Sequence, residues 1–348
     1  MSKVLFLLKK HGEYNFTPFP EATSKSGLLN SVKYLADALR NNLHINVVIE
    51  VCQDGNEIDK YVHKHRPNFC IIEALWATPA KMNELCDIWK SVDFIVRIHS
   101  KIPFLASEGI AVEWIKGYVE INKNLFVAFN NYDTYNDFSS IGIPCLYMPN
   151  IYEICVPKEN LFCKMLRLIN HPKENCSELL VGCYGAIRPL KNTLLQAIAA
   201  IRYCDKYSKT LKFYVNATRL EQGGESVLKN LKALFKDTPH ELIQVGWLCH
   251  EDFKQQIAKM DIGLQVSLSE SFNIVTADFV DVGVPIVVSK DINWISKKCL
   301  ADNQSVESIV ERMEHVLENK HRIVQENKEE LFHHNQLAIL NYKVLTNK

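Results

Sequence analysis

The chain alternates short, continuously apolar runs with helix-length amphipathic stretches, and it does so twice. In the first half the apolar runs fall at 4–8, 45–51, 69–72, 94–98, 125–129 and 145–148, with helical periodicity at 28–40, 79–89 and 112–119 between them. In the second half they fall at 179–184, 211–215, 242–245, 262–266 and 285–288, separated by helical patterns at 193–207, 227–235, 251–259 and 274–282. Strands that are apolar on both faces and separated by helices predict parallel sheets covered on both sides. The expected fold class is α/β: two Rossmann-like doubly wound domains facing a cleft, with a ligand near the carboxyl ends of the strands. A length of 348 residues also exceeds what one core ordinarily serves.

The alternation breaks around Pro149 and Asn150, becomes irregular after Pro157 and turns polar over 172–178. The domain boundary is expected there, giving an N-terminal domain at 1–152 and a second at 153–325. Residues 326–348 are expected to be a C-terminal helix able to pack back on the first domain, within a helical, charged tail over 305–345.

Forty basic residues balance forty acidic ones, which argues against a surface devoted to nucleic acid. The eleven cysteines are scattered singly, with no CxxC pair, as suits reduced, mostly buried thiols in a cytosolic protein. The opening MSKVLFLLKK is apolar for only one strand length, too short for a signal peptide or a membrane span. A cytoplasmic location is expected.

Two segments carry chemistry. Between Ser267 and Ser289 the sequence reads as a loop with an acid (Glu270), a helix whose second turn carries another (Asp278), a stop at Gly283 and a buried strand after Pro285. The amides of Asn273, Ile274 and Val275 would form a helix N-terminus suited to a phosphate. Asp278 lies one turn below Ile274, roughly 6 Å along the axis at about 1.5 Å per residue, comparable to the span from a diphosphate to the ribose of a nucleotide. In the second segment a buried strand ends at Gly185, a tight turn carries Arg188 and Lys191, and a helix follows from Asn192. Arginine can grip a diphosphate in a bidentate fork and lysine acts as a point charge. The plain alternatives are a solvated turn, an exposed loop acid at Glu270 and the polar face of a helix at Asp278.

Together these residues resemble the retaining glycosyltransferases of the two-Rossmann-domain (GT-B) architecture, especially glycosyltransferase family four. Gly185, Pro189, Lys191 and Asn192 fall in register with the family's first donor-domain turn. Glu270, Phe272, Asp278, Gly283, Pro285, Val287 and Val288 match its signature of two acids eight positions apart followed by Gly-x-Pro-Val-Val. The stretch from Gly27 is similar to the glycine loop and first helix of the acceptor domain. Pro149-Asn150 is similar to the hinge, and Gly246-Trp247 followed by Met260-Asp261 to the run before the signature. The resemblance covers nearly the whole chain in order. It departs at Asp278, where the family has glutamate, at Ser271 and Asn273 in place of glycines, and at Ala186 in place of an arginine that Arg188 would replace.

The resemblance implies Glu270 beside the donor sugar and its phosphates, Asp278 on the ribose, and His99, at the end of a first-domain strand, facing the sugar. The catalytic candidates are thus Glu270, Arg188, Lys191 and His99. The donor-binding candidates are Gly185, Asn273, Ile274, Val275, Asp278, Trp247 and Gly27. His99 has a purely structural alternative, and Trp247 can be a nucleobase platform or simply core. No Asp-x-Asp pair occurs, so neither metal nor cofactor is expected, and the leaving-group charge would fall to Arg188, Lys191 and a helix dipole. The absence of GxxxxGK[ST], GxGxxG and HExxH argues against a P-loop NTPase, a dehydrogenase and a metalloprotease.

The function implied is a retaining, metal-independent transferase moving a sugar from a nucleotide-diphosphate sugar to an acceptor hydroxyl. A glycan or lipid-linked sugar stands ahead of nucleic acid as acceptor. The alternatives are a DNA-base glycosyltransferase of viral type and a non-catalytic nucleotide-sugar-binding protein on the same fold. An epimerase would need further acids near the anomeric carbon that the sequence does not display.

Overall fold

A computed structural model describes residues 2–10, 27–154 and 177–346. The chain divides into two compact units, Met1–Glu153 with His333–Lys348, and Ile154–Phe332. Most of the irregular stretch expected after Pro157 lies outside the described residues.

The first unit contains β1 (Lys3–Lys9), α1 (Gly27–Leu43), β2 (Asn46–Cys52), α2 (Ile58–His65), β3 (Phe69–Glu73) and α3 (Pro79–Ile88). It continues with β4 (Asp93–Ile98), α4 (Ile102–Leu105), α5 (Ala111–Glu120), β5 (Leu125–Phe129), α6 (Tyr132–Ser140) and β6 (Leu146–Tyr147). The six strands pair in the order β2-β1-β3-β4-β5-β6, all parallel. Because side chains alternate along a strand, β1 feeds two cores. Leu5 and Leu7 pack in one with Ile72, Phe94 and Val96, while Val4, Phe6 and Leu8 pack in the other with Leu35 and Leu39 of α1. Burying one such side chain fully is worth about 1.5–3 kcal/mol. Ala338, Tyr342 and Leu345 complete the second of these cores. Tyr342 donates its hydroxyl to the Pro149 carbonyl at 2.6 Å, and the Asn335 side chain bonds both the N–H and the C=O of Tyr152.

The second unit runs β7 (Glu178–Ile187), α7 (Thr193–Lys206), β8 (Thr210–Leu220), α8 (Gly224–Phe235), β9 (Glu241–Val245), α9 (His250–Ile257) and β10 (Ile262–Gln265). Then come α10 (Ile274–Val282), β11 (Ile286–Ser289), β12 (Leu300–Ala301), α11 (Val306–Glu318) and α12 (Lys320–Leu340), whose last residues belong to the first unit. Its strands are also all parallel, in the order β9-β8-β7-β10-β11-β12. The order reverses between β7 and β10, so the connections leaving these two neighbours run in opposite directions, the kind of switch point at whose carboxyl edge doubly wound sheets bind ligands.

α10 is bounded as its sequence implies. Asn273, at φ 59°, caps it by accepting the Thr276 N–H on Oδ1 at 3.0 Å, and Gly283, at φ 74°, ends it in the left-handed region that glycine adopts without strain. The eight cysteines among the described residues are free thiols. Burial pushes Cys52, Cys183 and Cys204 up to about 12, so they serve as packing groups rather than nucleophiles. No described helix is long and apolar enough to cross a membrane.

Candidate active site

At the carboxyl edge of the second sheet the exits of four strands are laced by side-chain amides. The Gly185 N–H donates to Asn216 Oδ1 at 2.9 Å, and Asn216 Nδ2 donates to the Gly246 carbonyl at 3.2 Å, joining β7, β8 and the end of β9. Gln265 Nε2 donates to the Tyr184 carbonyl at 2.8 Å, and Asn273 Nδ2 donates to Gln265 Oε1 at 2.9 Å, joining β7, β10 and the start of α10. Two further bonds tie the loops after β7 and β10. Leu268 donates its N–H to the Leu190 carbonyl at 2.8 Å, and Asn192 Nδ2 donates to the Val266 carbonyl at 3.2 Å. Polar groups satisfied this way link the strand exits and loops into one hydrogen-bonded network.

The charges ride on this frame. Lys191 Nζ lies 2.5 Å from Glu270 Oε1, with side chains only 14% and 8% exposed. Gly185 has φ +113°, and a Cβ there would stand 3.7 Å from Lys191 Nζ, so its bare backbone borders the ammonium. Arg188 Nη1 bonds Glu221 Oε2 at 2.9 Å, and Arg219 Nε bonds Glu221 Oε1 at 2.7 Å. Burial alone would raise the Glu221 carboxyl, but Arg219 and Arg188 outweigh it and hold it below the usual carboxylate range. The Arg219 guanidinium stands 4.8 Å from the centre of the Trp247 ring, and the backbone N–H of Trp247 donates to Thr218 Oγ1 at 3.0 Å.

The expected residues are thus grouped in part. Lys191, Glu270 and Gly185 come together, with Asn273 and its helix linked to them through Gln265. The Ile274 and Val275 amides open α10 ahead of its first intrahelical bonds. Arg188 instead meets Glu221, and Asp278 meets His250, whose Nε2 lies 2.6 Å from Asp278 Oδ1. Trp247 is half-buried under Arg219. The sequence reading missed Glu221 and His250. The signal available for the latter was a histidine opening a helix directly after a strand exit.

His99 and Gly27 belong to the first unit. Gly27 is the first residue of α1, and the loop before it lies outside the described residues. His99 follows β4 and belongs to a buried polar cluster. Arg97, fully buried, donates Nη1 to Glu73 Oε2 at 3.0 Å, Nε to the Met148 carbonyl at 2.9 Å and Nη2 to Asn150 Oδ1 at 2.5 Å. His99 Nε2 bonds Glu73 as well, and Asn130 Nδ2 lies 3.3 Å from His99 Nδ1. A neutral ring satisfies both contacts when Nε2 carries the proton and Nδ1 accepts. Burial and Arg97 push this imidazole below its ordinary value against the pull of Glu73. Burial alone would raise the Glu73 carboxyl, but Arg97 and His99 hold it low. Both ring nitrogens of His99 are therefore engaged by protein groups. Beside the ring is a cavity of about 140 Å³ bordered by Ala74, Trp76, Ser100 and Glu108, with Ala74 held at φ 75°.

Among the described residues no group of three or more His, Cys, Asp or Glu side chains is placed to hold a metal ion.

No protein-family model matches the chain, and neither does any curated protein sequence. Solved structures do match over its whole length. A sucrose-phosphate synthase from Thermosynechococcus elongatus is 13% identical, with a TM-score of 0.67 over 99% of this chain and 96% of that one. A UDP-forming α,α-trehalose-phosphate synthase from Burkholderia xenovorans is 11% identical, with a TM-score of 0.65 over 100% and 99%. An E. coli trehalose-6-phosphate structure bound with UDP-2-fluoro glucose is 9% identical, with a TM-score of 0.65 over 100% and 99%. The chain has the α/β fold of these proteins, the two-Rossmann-unit fold of GT-B glycosyltransferases.

Proposed function

We propose that the chain transfers a sugar from a nucleotide-diphosphate sugar to an acceptor hydroxyl, with retention at the anomeric carbon and without a metal ion. The observation that carries this reading is the Lys191–Glu270 pair on the two loops that leave β7 and β10, where the sheet reverses, tied to the amide end of α10. A diphosphate at this edge would meet an ammonium, the Gly185 backbone and the Ile274 and Val275 amides, with Arg188 on the same turn. As the bond from the anomeric carbon to the diphosphate oxygen breaks, negative charge grows on that oxygen, and donors already fixed there lower the barrier. The acceptor oxygen forms the new bond on the same face, and its proton passes to the departing diphosphate. No protein base is required.

Two structural neighbours are named as sugar-phosphate synthases, one of them UDP-forming, and a third holds UDP-2-fluoro glucose. Uridine diphosphate and its sugars are therefore the first donors to try. A glycan or lipid-linked sugar stands ahead of nucleic acid as acceptor, because the chain has no basic excess. The test is a thermal-shift screen of the intact protein against nucleoside diphosphates and their sugars, in which a true ligand raises Tm with the logarithm of its concentration. A hit is then followed by release of nucleoside diphosphate and transfer of labelled sugar. A screen in which no nucleotide moves Tm would sink the reading, and binding without release would make the chain a binder rather than an enzyme.

A further inference from the structure

The cavity of about 140 Å³ beside His99 lies at the carboxyl ends of β3 and β4, the edge at which doubly wound sheets bind ligands. Its size suits a single six-membered ring, since an engineered apolar cavity of about 150 Å³ takes up benzene. Leu75, Trp76 and Ile98 give it an apolar wall. The Trp76 indole is fixed by its Nε1, which donates to the Glu73 carbonyl at 2.9 Å. Both His99 nitrogens are engaged by Glu73 and Asn130, which leaves Ser100 and Glu108 as the polar lining. Among the described residues, neither the Ser100 hydroxyl nor the Glu108 carboxyl bonds another protein group. Neither lysine nor arginine lines the cavity: Lys101 is held by Asp133 at 2.8 Å, and the buried Arg97 by Glu73.

An apolar wall with a hydroxyl and a carboxylate suits a sugar, whose ring carbons are apolar and whose hydroxyls donate. The same carboxylate repels a phosphate, and the lining supplies no counter-charge to hold one. We propose that this cavity binds one uncharged pyranose ring, and that Glu108 selects it against the phosphorylated form. The binding itself stands apart from the donor site in the second unit. Its role in the reaction rests on the transfer reading above and deepens it: the ring is the end of the acceptor that receives the sugar. Glu108 is then a specificity-determining residue, accepting from the ring's hydroxyls.

The experiment is saturation-transfer NMR on the intact protein at pH 8, without nucleotide. The probes are the methyl glycosides of glucose, galactose, mannose and N-acetylglucosamine. The parent should give a signal with at least one of them. The free sugar should displace that glycoside at least about tenfold better than the same sugar's 6-phosphate does. Glu108→Gln keeps the shape and a hydrogen-bonding amide but removes the charge, so a merely structural role for Glu108 would leave that ratio alone. Selection by Glu108 predicts instead that the ratio falls by about threefold to tenfold, as the phosphate gains entry. A parent that binds none of the glycosides, a phosphate that displaces as well as the free sugar, or an unchanged ratio in Glu108→Gln overturns the proposal. Because no nucleotide is present, each of these outcomes leaves the donor-site reading standing, and the nucleotide screen tests that reading separately.

Discussion

Lys191 Nζ sits 2.5 Å from Glu270 Oε1, and the two are delivered by the loops leaving β7 and β10, the adjacent strands at which the second sheet reverses its order. An ammonium so placed is fixed by a carboxylate before any ligand arrives. Replacing Lys191 with alanine should lower sugar transfer about 10²–10³-fold, the usual loss when a fixed transition-state donor is removed. The far-UV circular dichroism spectrum should stay that of the parent. Arg188→Ala should behave similarly, and parent-like rates in both variants would refute the role of this turn.

Glu221 accepts from both Arg188 and Arg219, so it competes with any anion that Arg188 is to hold. Glu221→Gln should tighten nucleoside diphosphate binding by about threefold to tenfold, since a repelling charge is removed from a partly solvated cluster. Titration calorimetry at low salt checks this. Weaker binding would instead show that Glu221 is needed to aim the guanidinium.

In the first unit Arg97 and Glu73 are both fully buried and bonded to each other. Arg97→Met leaves the Glu73 carboxylate without its main counter-charge and should cost about 3–5 kcal/mol, read as a lower urea midpoint. The double variant Arg97→Met with Glu73→Leu should recover part of that loss. An unchanged midpoint in the single variant would mean that the pair contributes nothing.

His99 and His334 make this unit sensitive to mild acid. Burial, reinforced by Arg97 at His99 and opposed by the Asn150 carbonyl at His334, holds both imidazoles below their ordinary value. The unfolded chain takes up protons near pH 6.5 where the native one resists, so stability is intact above about pH 6.5 and falls as pH drops through the depressed native values. The Glu73 carboxyl, also depressed, withdraws further stability below its ordinary carboxylate range. Melting temperatures should therefore decline from about pH 7 to about pH 5 and decline less in His334→Gln, whose amide can still donate to Asn150. A flat or rising profile would contradict this.

Much of the fold was legible because hydropathy records it directly. β5 was expected at 125–129 and is Leu125–Phe129, and α10 was expected at 274–282 and is Ile274–Val282. In the first case Leu125, Val127 and Phe129 are buried and in the second Asn273 and Gly283 mark the ends. α2 and α6 were missed because each buries only two residues, Ile58 and Val62 in one, Thr134 and Phe138 in the other. That is too little apolar signal for a periodicity to show. The site was half legible. Lys191 and Glu270 could be read from their strand ends, whereas Glu221, His250 and the Arg97–Glu73 pair could not. A charged side chain that is buried runs against the rule used to find cores. Its partner is known only once the strands are in order, as with His250 and Asp278, which lie 28 positions apart in the chain.

Tyr342 and Leu345 share a core with Val4, Phe6, Leu39 and Met148. During synthesis that apolar wall lacks its last residues until the entire second unit has been translated, so the first unit cannot close this core before the chain's end emerges. A fragment stopped at Glu153 should aggregate. One rejoined to residues 333–346 by a short linker should yield a soluble, independently folding half.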